Sequence, residues 1–251
     1  MKILAIDTSG QQAGAAIIAG DFAHNYITVG EILLNARTGE KSWTHSEILM
    51  PGIDRLFALT GLKPGDMDYI AYTSGPGSFT GLRIGASVAL GMAKALNRTW
   101  VAVPSLDALA YNVLGVGNAG LVVPMFDARR GQIYSAIYSR SEQGRISLLT
   151  EYMAMHVKEI LEILGDFVSQ GIAGQARNDE SIIFLGDGAD AYSQEIKEIY
   201  PNALITPSNN NRLRAASAGV WAMEKITDGY QFAEKVDIIY VRSPQAVREA
   251  K

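Results

Sequence analysis

Two aspartates in this chain stand in matching surroundings. Asp7 ends the apolar run Leu4-Ala5-Ile6 and precedes Thr8-Ser9-Gly10, while Asp127 ends the run Leu121–Phe126 and precedes Ala128-Arg129-Arg130-Gly131. Each reads as strand, aspartate, turn and strand, and the two units lie 120 positions apart. Such a pair of hairpins can grip a nucleotide–metal complex, with carboxylates orienting metal-bound water and turn amides meeting phosphate oxygens. On that reading Asp7, Thr8 and Ser9 form a first phosphate loop, Asp127 a second, and Gly186-Asp187-Gly188 an adenosine-side turn. The other reading is that both aspartates cap tight turns, which Asp favours, and bind nothing.

The segment Ser74–Gly81 offers different chemistry. Gly75, Gly77 and Gly81 permit positive φ and close backbone approach, with Ser78 and Thr80 between them. The loop feeds a helix, whose free N-terminal amides and dipole attract anions. It fits neither the P-loop nor the dinucleotide glycine pattern, so it names no ligand. It also reads as a plain strand-to-helix turn with Ser78 or Thr80 as N-cap.

Other reactive groups are scarce. His24, His45 and His156 are the three histidines and no two stand at ligand spacing, which argues against zinc. There is no cysteine, so a thiol nucleophile, a disulfide framework and thiolate metal sites are excluded. No G-x-S-x-G elbow precedes a helix. His45 reads as a surface or interface residue and Arg129-Arg130 as a solvated basic pair.

The elements that must position these residues follow from pattern. Lys2–Ile6 and Ala13–Ala19 read as a hairpin, with further strands at Tyr26–Val29 and Glu31–Asn35. Thr44-His45-Ser46-Glu47 has the capping-box form and opens a helix whose apolar face holds Ile48, Leu49, Leu56, Phe57 and Leu59; Pro51 should kink it and Gly61 suits its C-terminal cap. Asp68–Ser74 is the next strand. The helix after the glycine loop, Leu82–Asn97, keeps Arg83, Ser87 and Lys94 on one narrow strip and places Gly81, Gly85, Ala89 and Ala93 every fourth residue. A small-residue ridge lets another backbone approach closely. The remaining apolar circumference exceeds what one sheet requires, which predicts cover from a partner or from more of this chain.

Trp100–Val103 reads as a strand and Leu106–Leu114 as a helix capped by Ser105. Beyond the second aspartate the pattern gives a strand at Gln132–Ser139, a helix at Val157–Gln170, a strand at Ser181–Leu185 and helices near Ala189–Ile199 and Leu213–Asp228. An extended tail runs through Asp237–Arg242. The recurrence of strand, aspartate and turn predicts a duplicated α/β fold. Its domains would be 1–104, with 213–251 docking back on it, and a smaller 105–212.

The composition agrees with a folded chain: 251 residues, 48% hydrophobic, 22 basic against 26 acidic side chains and a net charge of −4. An acidic balance argues against nucleic-acid binding driven by overall charge. Met1-Lys2 runs into only four apolar residues before Asp7, and no run approaches 18, so neither a secretion signal nor a membrane span is expected. A cytoplasmic protein is expected.

Taken together, Leu4-Ala5-Ile6-Asp7-Thr8-Ser9, His45-Ser46-Glu47-Ile48-Leu49, the run from Ser74 to Gly85 and the run from Asp127 to Tyr134 resemble the bacterial TsaB (YeaZ) family. The likeness continues through Pro104-Ser105 and Tyr240-Val241-Arg242 and covers essentially the whole chain. The resemblance implies an actin/Hsp70-like (ASKHA) two-domain fold and a part in forming threonylcarbamoyladenosine on tRNA. In that family the protein is a non-catalytic subunit. It pairs with a catalytic paralogue, TsaD, and is joined by the ATPase TsaE, with tRNA met through the complex and a homodimer formed when alone. The resemblance implies no cofactor or metal of its own, ATP or ADP being expected only at the complex interface. It places His45, Leu49, Leu82, Gly85, Ala89 and Ala93 at the partner interface. In the paralogue an H-x-x-x-H pair holds the metal, and here Ser105 and Leu109 occupy those places. The competing readings are a stand-alone actin-like ATPase or small-molecule kinase, resting on the repeated aspartate loops, and a metallopeptidase.

Overall fold

A computed structural model describes residues 1–23, 25–35, 37–38, 41–115, 120–170, 182–230 and 236–241. His24, Arg242, Arg248 and Lys251 lie outside them, as does Ser181 at the start of an expected strand. The chain divides into two compact units: Met1–Ala108 with Arg214–Tyr240, and one built on Leu109–Leu213.

In chain order the first unit holds β1 (Lys2–Asp7), β2 (Gln12–Asp21), β3 (Asn25–Asn35), the two-residue strands β4 (Arg37–Thr38) and β5 (Lys41–Ser42), α1 (His45–Thr60), β6 (Tyr69–Gly75), α2 (Phe79–Leu96), β7 (Thr99–Pro104) and α3 (Ser105–Ala110). The second holds β8 (Gly120–Asp127), β9 (Gln132–Ser135), β10 (Tyr138–Arg140), β11 (Ile146–Leu148), β12 (Met153–His156), α4 (Val157–Ser169), β13 (Ile182–Leu185), α5 (Asp187–Ala191), α6 (Ser193–Ile199) and β14 (Leu204–Ile205). Helix α7 (Ala215–Thr227) returns to the first unit.

The sheet of the first unit has the order β3-β2-β1-β6-β7, in which β1 pairs antiparallel with β2 and parallel with β6. The second has the order β11-β10-β8-β13-β14, in which β8 pairs antiparallel with β10 and parallel with β13. Along these orders both sheets carry two antiparallel strands on one side of an aspartate-ending strand and two parallel strands on the other; the second sheet has seven strands, β9 also pairing antiparallel with β8 and β12 with β9. The same pattern built twice is the structural form of the repeated sequence unit.

In the first unit α1 and α2 cover one face of the sheet: Leu49, Ile53, Leu56, Phe57, Ala86, Ala89 and Ala93 meet Leu4, Ile6, Ala15, Ile17, Ile70 and Tyr72. Helix α7 lies on β1 and β2, and Gly219 lets it come so close that a Cβ there would stand 2.5 Å from Ile18. Glu31 of β3 caps α7, accepting the Ala216 N–H at 3.0 Å and pairing with Arg214. In the second unit Leu121, Val123, Ile133, Leu161, Leu164, Ile182 and Phe184 form the core, with α4 packed beside β9 and β12.

Several sequence expectations change in detail. The two stretches expected at Tyr26–Val29 and Glu31–Asn35 are one strand, in which Val29 bulges out as an extra residue opposite Ile17 and Ile18 of β2. The strand expected at Gln132–Ser139 breaks at Ala136-Ile137: the Ile137 N–H turns to Thr150 Oγ1 at 3.0 Å, and its two halves pair with opposite ends of β8. The helix expected at Ala189–Ile199 is two helices parted at Tyr192, and that expected at Leu106–Leu114 ends at Ala110 in a tighter turn, Tyr111–Val113. Helix α1 continues through Pro51. Its start is held by Glu47, whose carboxylate accepts the Thr44 N–H at 2.6 Å and the Thr44 hydroxyl at 2.8 Å.

Candidate functional site

Asp7 ends β1 inside the first unit, only 2% exposed. Its Oδ1 accepts the Ser9 N–H at 3.0 Å, the Ser9 hydroxyl at 2.7 Å and the Thr73 hydroxyl at 2.8 Å. Burial pushes the carboxyl above its ordinary range, against the pull of those hydrogen bonds and of the His45 charge. In the sequence Thr73 is marked by nothing more than a hydroxyl next to Ser74 at the end of an apolar strand. Thr8 is fully buried and its hydroxyl donates to the Gly81 carbonyl at 2.7 Å. The first loop is therefore closed around its own polar groups.

The glycine loop explains that closure. Helix α2 begins at Phe79, three residues earlier than expected, with Ser78 as N-cap: its hydroxyl accepts the Gly81 N–H at 3.2 Å. Thr80 and Gly81 are thus helical, not loop residues. Hypothetical Cβ atoms at Gly77, Gly81 and Gly85 would stand 2.5 Å from Ser9 O, 2.0 Å from Thr8 O and 2.3 Å from Thr8 Oγ1. These glycines admit the Thr8–Ser9 turn, and the Ser78 N–H is bonded to Ser9 O at 2.7 Å. The Gly75 N–H is likewise engaged, by Ser105 Oγ at 3.1 Å.

In the second unit Asp127 is exposed at the end of β8 and its Oδ1 accepts the Arg129 N–H at 2.8 Å. Asp187 opens α5 and its Oδ1 accepts the Asp127 N–H at 2.9 Å, so the structure brings these two predicted loops together. Desolvation raises the Asp187 carboxyl, the Asp127 amide opposes this and the Asp127 charge adds to it, while the Gly188 amide and Arg212 lower it. Gly186, at φ 104°, passes so near β8 that a Cβ would lie 2.0 Å from Met125 O. Gly188 packs against Met125 as well. Asn211 holds this turn: its Oδ1 accepts the Gly186 N–H at 3.1 Å and its Nδ2 donates to Asp190 at 2.7 Å and to Thr206 O at 2.9 Å. Nothing in the polar run Ser208–Asn211 had marked that one asparagine out.

The interface residues inferred from the resemblance need correction. Leu49 and Leu82 are 1% exposed, Ala89 and Ala93 0%, and Gly85 is buried against Thr8. The small-residue ridge of α2 serves the close approach of its own sheet, so it cannot also present a surface to a partner. His45 is half-buried at the first turn of α1, its Nε2 atom inside and, among the described residues, without a hydrogen-bond partner. The face of α2 that turns outward bears Phe79, Thr80, Arg83, Ile84, Ser87 and Val88, which line an open groove of about 410 Å³. At its end Arg83 lies over the Phe79 ring, 3.8 Å from the centroid, and donates through Nε to the Tyr240 hydroxyl at 3.2 Å.

Ser105 and Leu109 are both fully buried. Among the described residues no group of three or more His, Cys, Asp or Glu side chains could hold a metal, and no helix is long and apolar enough to cross a membrane.

Comparison with known proteins places this geometry. A family model described as TsaD: tRNA N6-adenosine threonylcarbamoyltransferase matches residues 39–245. The tRNA threonylcarbamoyladenosine biosynthesis protein TsaB of Bacillus subtilis is 31% identical over 199 residues, 79% of this chain and 76% of that protein. Its namesake from Escherichia coli is 32% identical over 196 residues, 75% and 80% of the two chains. The solved structure of YeaZ from Pseudomonas aeruginosa shares the fold with a TM-score of 0.71 at 22% identity, covering 95% of this chain and 99% of that one. With the doubled sheet pattern, these likenesses bear out the duplicated α/β fold and show that the chain belongs to the TsaB (YeaZ) family of tRNA threonylcarbamoyladenosine biosynthesis proteins.

Proposed function

We propose that this chain is a non-catalytic subunit in the formation of N6-threonylcarbamoyladenosine on tRNA, and that it binds and activates a TsaD-like catalytic paralogue. The observation that carries the reading is the division of labour on α2. Its small residues are used up against Thr8 and the sheet, while Phe79, Ile84 and Val88 line an open groove on the opposite side. An apolar groove of this kind on a helix suits another helix. Further support comes from Leu109, an isobutyl side chain fully inside the protein at a position where the resemblance expects a metal-binding imidazole in the paralogue. The first aspartate loop, closed by Ser9 and Thr73, has the character of a structural knot in place of a working phosphate loop. A TsaE-like ATPase and tRNA are met through the complex, any ATP or ADP is held at its interface, and a homodimer forms in the paralogue's absence.

The test is reconstitution: purified paralogue, threonylcarbamoyl-adenylate and unmodified tRNA, with and without this chain, followed by nucleoside chromatography. Modification that depends on the chain together with the paralogue supports the proposal. Modification by the chain alone, or equal modification without it, contradicts it.

A further inference from the structure

The turn that joins β8 to β9 is built against the preference of its residues. Arg129, Arg130 and Gly131 follow one another at φ 62°, 56° and 75°, and the Gln132 N–H closes the turn on Arg129 O at 3.2 Å. Of the three only the glycine takes this left-handed backbone without steric cost, and hairpin turns of this form ordinarily carry Asn or Gly. Two long basic side chains are thus held at the tip. Both are exposed, as is His156, whose ring packs against Gly131: a Cβ there would stand 3.5 Å from its Nδ1 and Cε1. Register fixes the rest of this surface. His156 stands opposite Gln132 in the β9–β12 ladder, and Tyr134 follows on the same face, while Ile133 and Ser135 alternate inward and are fully buried. Asp127 stands opposite Ile133, on the other face of the ladder from Gln132 and Tyr134. No side-chain hydrogen bond or ion pair joins Arg129, Arg130, Gln132 or His156 to any of the described residues.

We propose that the two-arginine turn, with Gln132, Tyr134 and His156 beside it, contacts the phosphate–ribose backbone of the tRNA. This rests on the reading that the chain acts in tRNA modification, and it gives this chain a place of its own on the RNA. Guanidinium, amide and phenol groups are the ones that ordinarily meet phosphate and sugar oxygens, fixing a protein's position without reading sequence. A net charge of −4 means that the chain as a whole does not attract RNA, so the attraction has to be local. The charges that follow His156 in the first turn of α4, Lys158 and Glu159, offset one another and leave the arginines to set the sign. A phosphate gives both guanidinium groups the charged acceptor that this unit does not supply. The contact is separate from the phosphate loop expected at Asp127, because that carboxylate belongs to the opposite face.

The test measures the dissociation constant of a labelled, unmodified tRNA transcript for the complex of this chain with the paralogue, from about 50 to 200 mM salt. Arg129→Asn with Arg130→Asn suits the left-handed turn and removes both charges, and Arg129→Lys with Arg130→Lys keeps them. The expected result for the Asn pair is roughly tenfold weaker binding and a salt dependence shallower by about one to two, as for two lost phosphate contacts, with the Lys pair recovering most of the loss. Its thermal melt should be no lower than that of the wild type, and the modification rate at saturating tRNA should be unchanged. Wild-type affinity and salt dependence for the Asn pair, with modification still dependent on the chain, would overturn the contact and leave the proposed function standing. A Lys pair as weak as the Asn pair would overturn it too. So would an Asn pair that loses only the paralogue, which would make the turn a protein interface, or only Mg-ATP, which would make it a nucleotide site. Modification that does not need the chain, alongside weakened tRNA binding by the Asn pair, would overturn the proposed function and keep the contact.

Discussion

Thr8 and Gly81 are locked together: the threonine hydroxyl donates to the glycine carbonyl at 2.7 Å, and any Cβ on Gly81 would lie 2.0 Å from the Thr8 carbonyl oxygen. This contact ties the turn after β1 to the first turn of α2, and it determines which side of the helix faces inward.

Gly81→Ala should therefore destabilise the first unit by at least ~2 kcal/mol, since the clash is with backbone and neither partner can move freely. Gly91, on the same helix, has none of the described residues within 4 Å of a hypothetical Cβ and is exposed. Gly91→Ala should stabilise by about 0.5–1 kcal/mol through helix propensity. Urea unfolding of both variants checks the pair, and equal effects would show that the packing does not discriminate between them.

The two sides of α2 should respond oppositely to charge. Ala89→Arg forces a guanidinium into the core between α2 and the sheet and should abolish folding, because an unpaired charge cannot be buried there. Ser87→Glu sits on the exposed side and should fold normally. Soluble expression and circular dichroism separate the outcomes, and a well-folded Ala89→Arg protein would refute the inward assignment of the ridge.

Asp7 gives a pH signature. Its carboxyl titrates above the ordinary 3.8 because burial disfavours the charged form. Between that value and its raised folded pKa the native state binds more protons than the unfolded chain. Its contribution to stability therefore declines as pH rises through this window. Asp7→Asn keeps an acceptor for Ser9 and Thr73 and removes the charge. Its melting temperature at pH 7 should be at least that of the wild type, the advantage shrinking as pH falls toward 4, and tRNA modification should persist. Loss of modification with the fold intact would return Asp7 to the list of working groups.

Glu47 behaves in the opposite sense. Its bonds to the Thr44 N–H and hydroxyl hold its carboxyl below 4.5, so its stabilising effect is present above that value and disappears as pH falls through the lowered pKa. Glu47→Ala should lower the melting temperature at pH 7, and the deficit should close in acid. A deficit that persists unchanged at pH 3 would mean the side chain acts by other means.

The repeated Leu-Ala-Ile-Asp and Met-Phe-Asp strand ends were legible because hydrophobic runs stopped by an aspartate are local features, and the doubled sheet followed from them. The start of α1 was legible in Thr44 and Glu47 for the same reason. The orientation of α2 was not. Gly81, Gly85, Ala89 and Ala93 announce a close approach, but sequence spacing says nothing of whether the approaching backbone is a partner's or the turn at Thr8. The break at Tyr192, the roles of Thr73 and Asn211, and the meeting of Tyr240 with Arg83 depend on residues 157 positions apart or on single polar contacts, which leave no periodic trace.

The most direct measurement titrates this chain into a fixed amount of the catalytic paralogue and follows threonylcarbamoyladenosine on tRNA. The account predicts a rate that rises to saturation with wild-type chain and a curve displaced to higher concentration for Ser87→Glu. A flat response, a rate supported by this chain without the paralogue, or identical curves for the two proteins would contradict it.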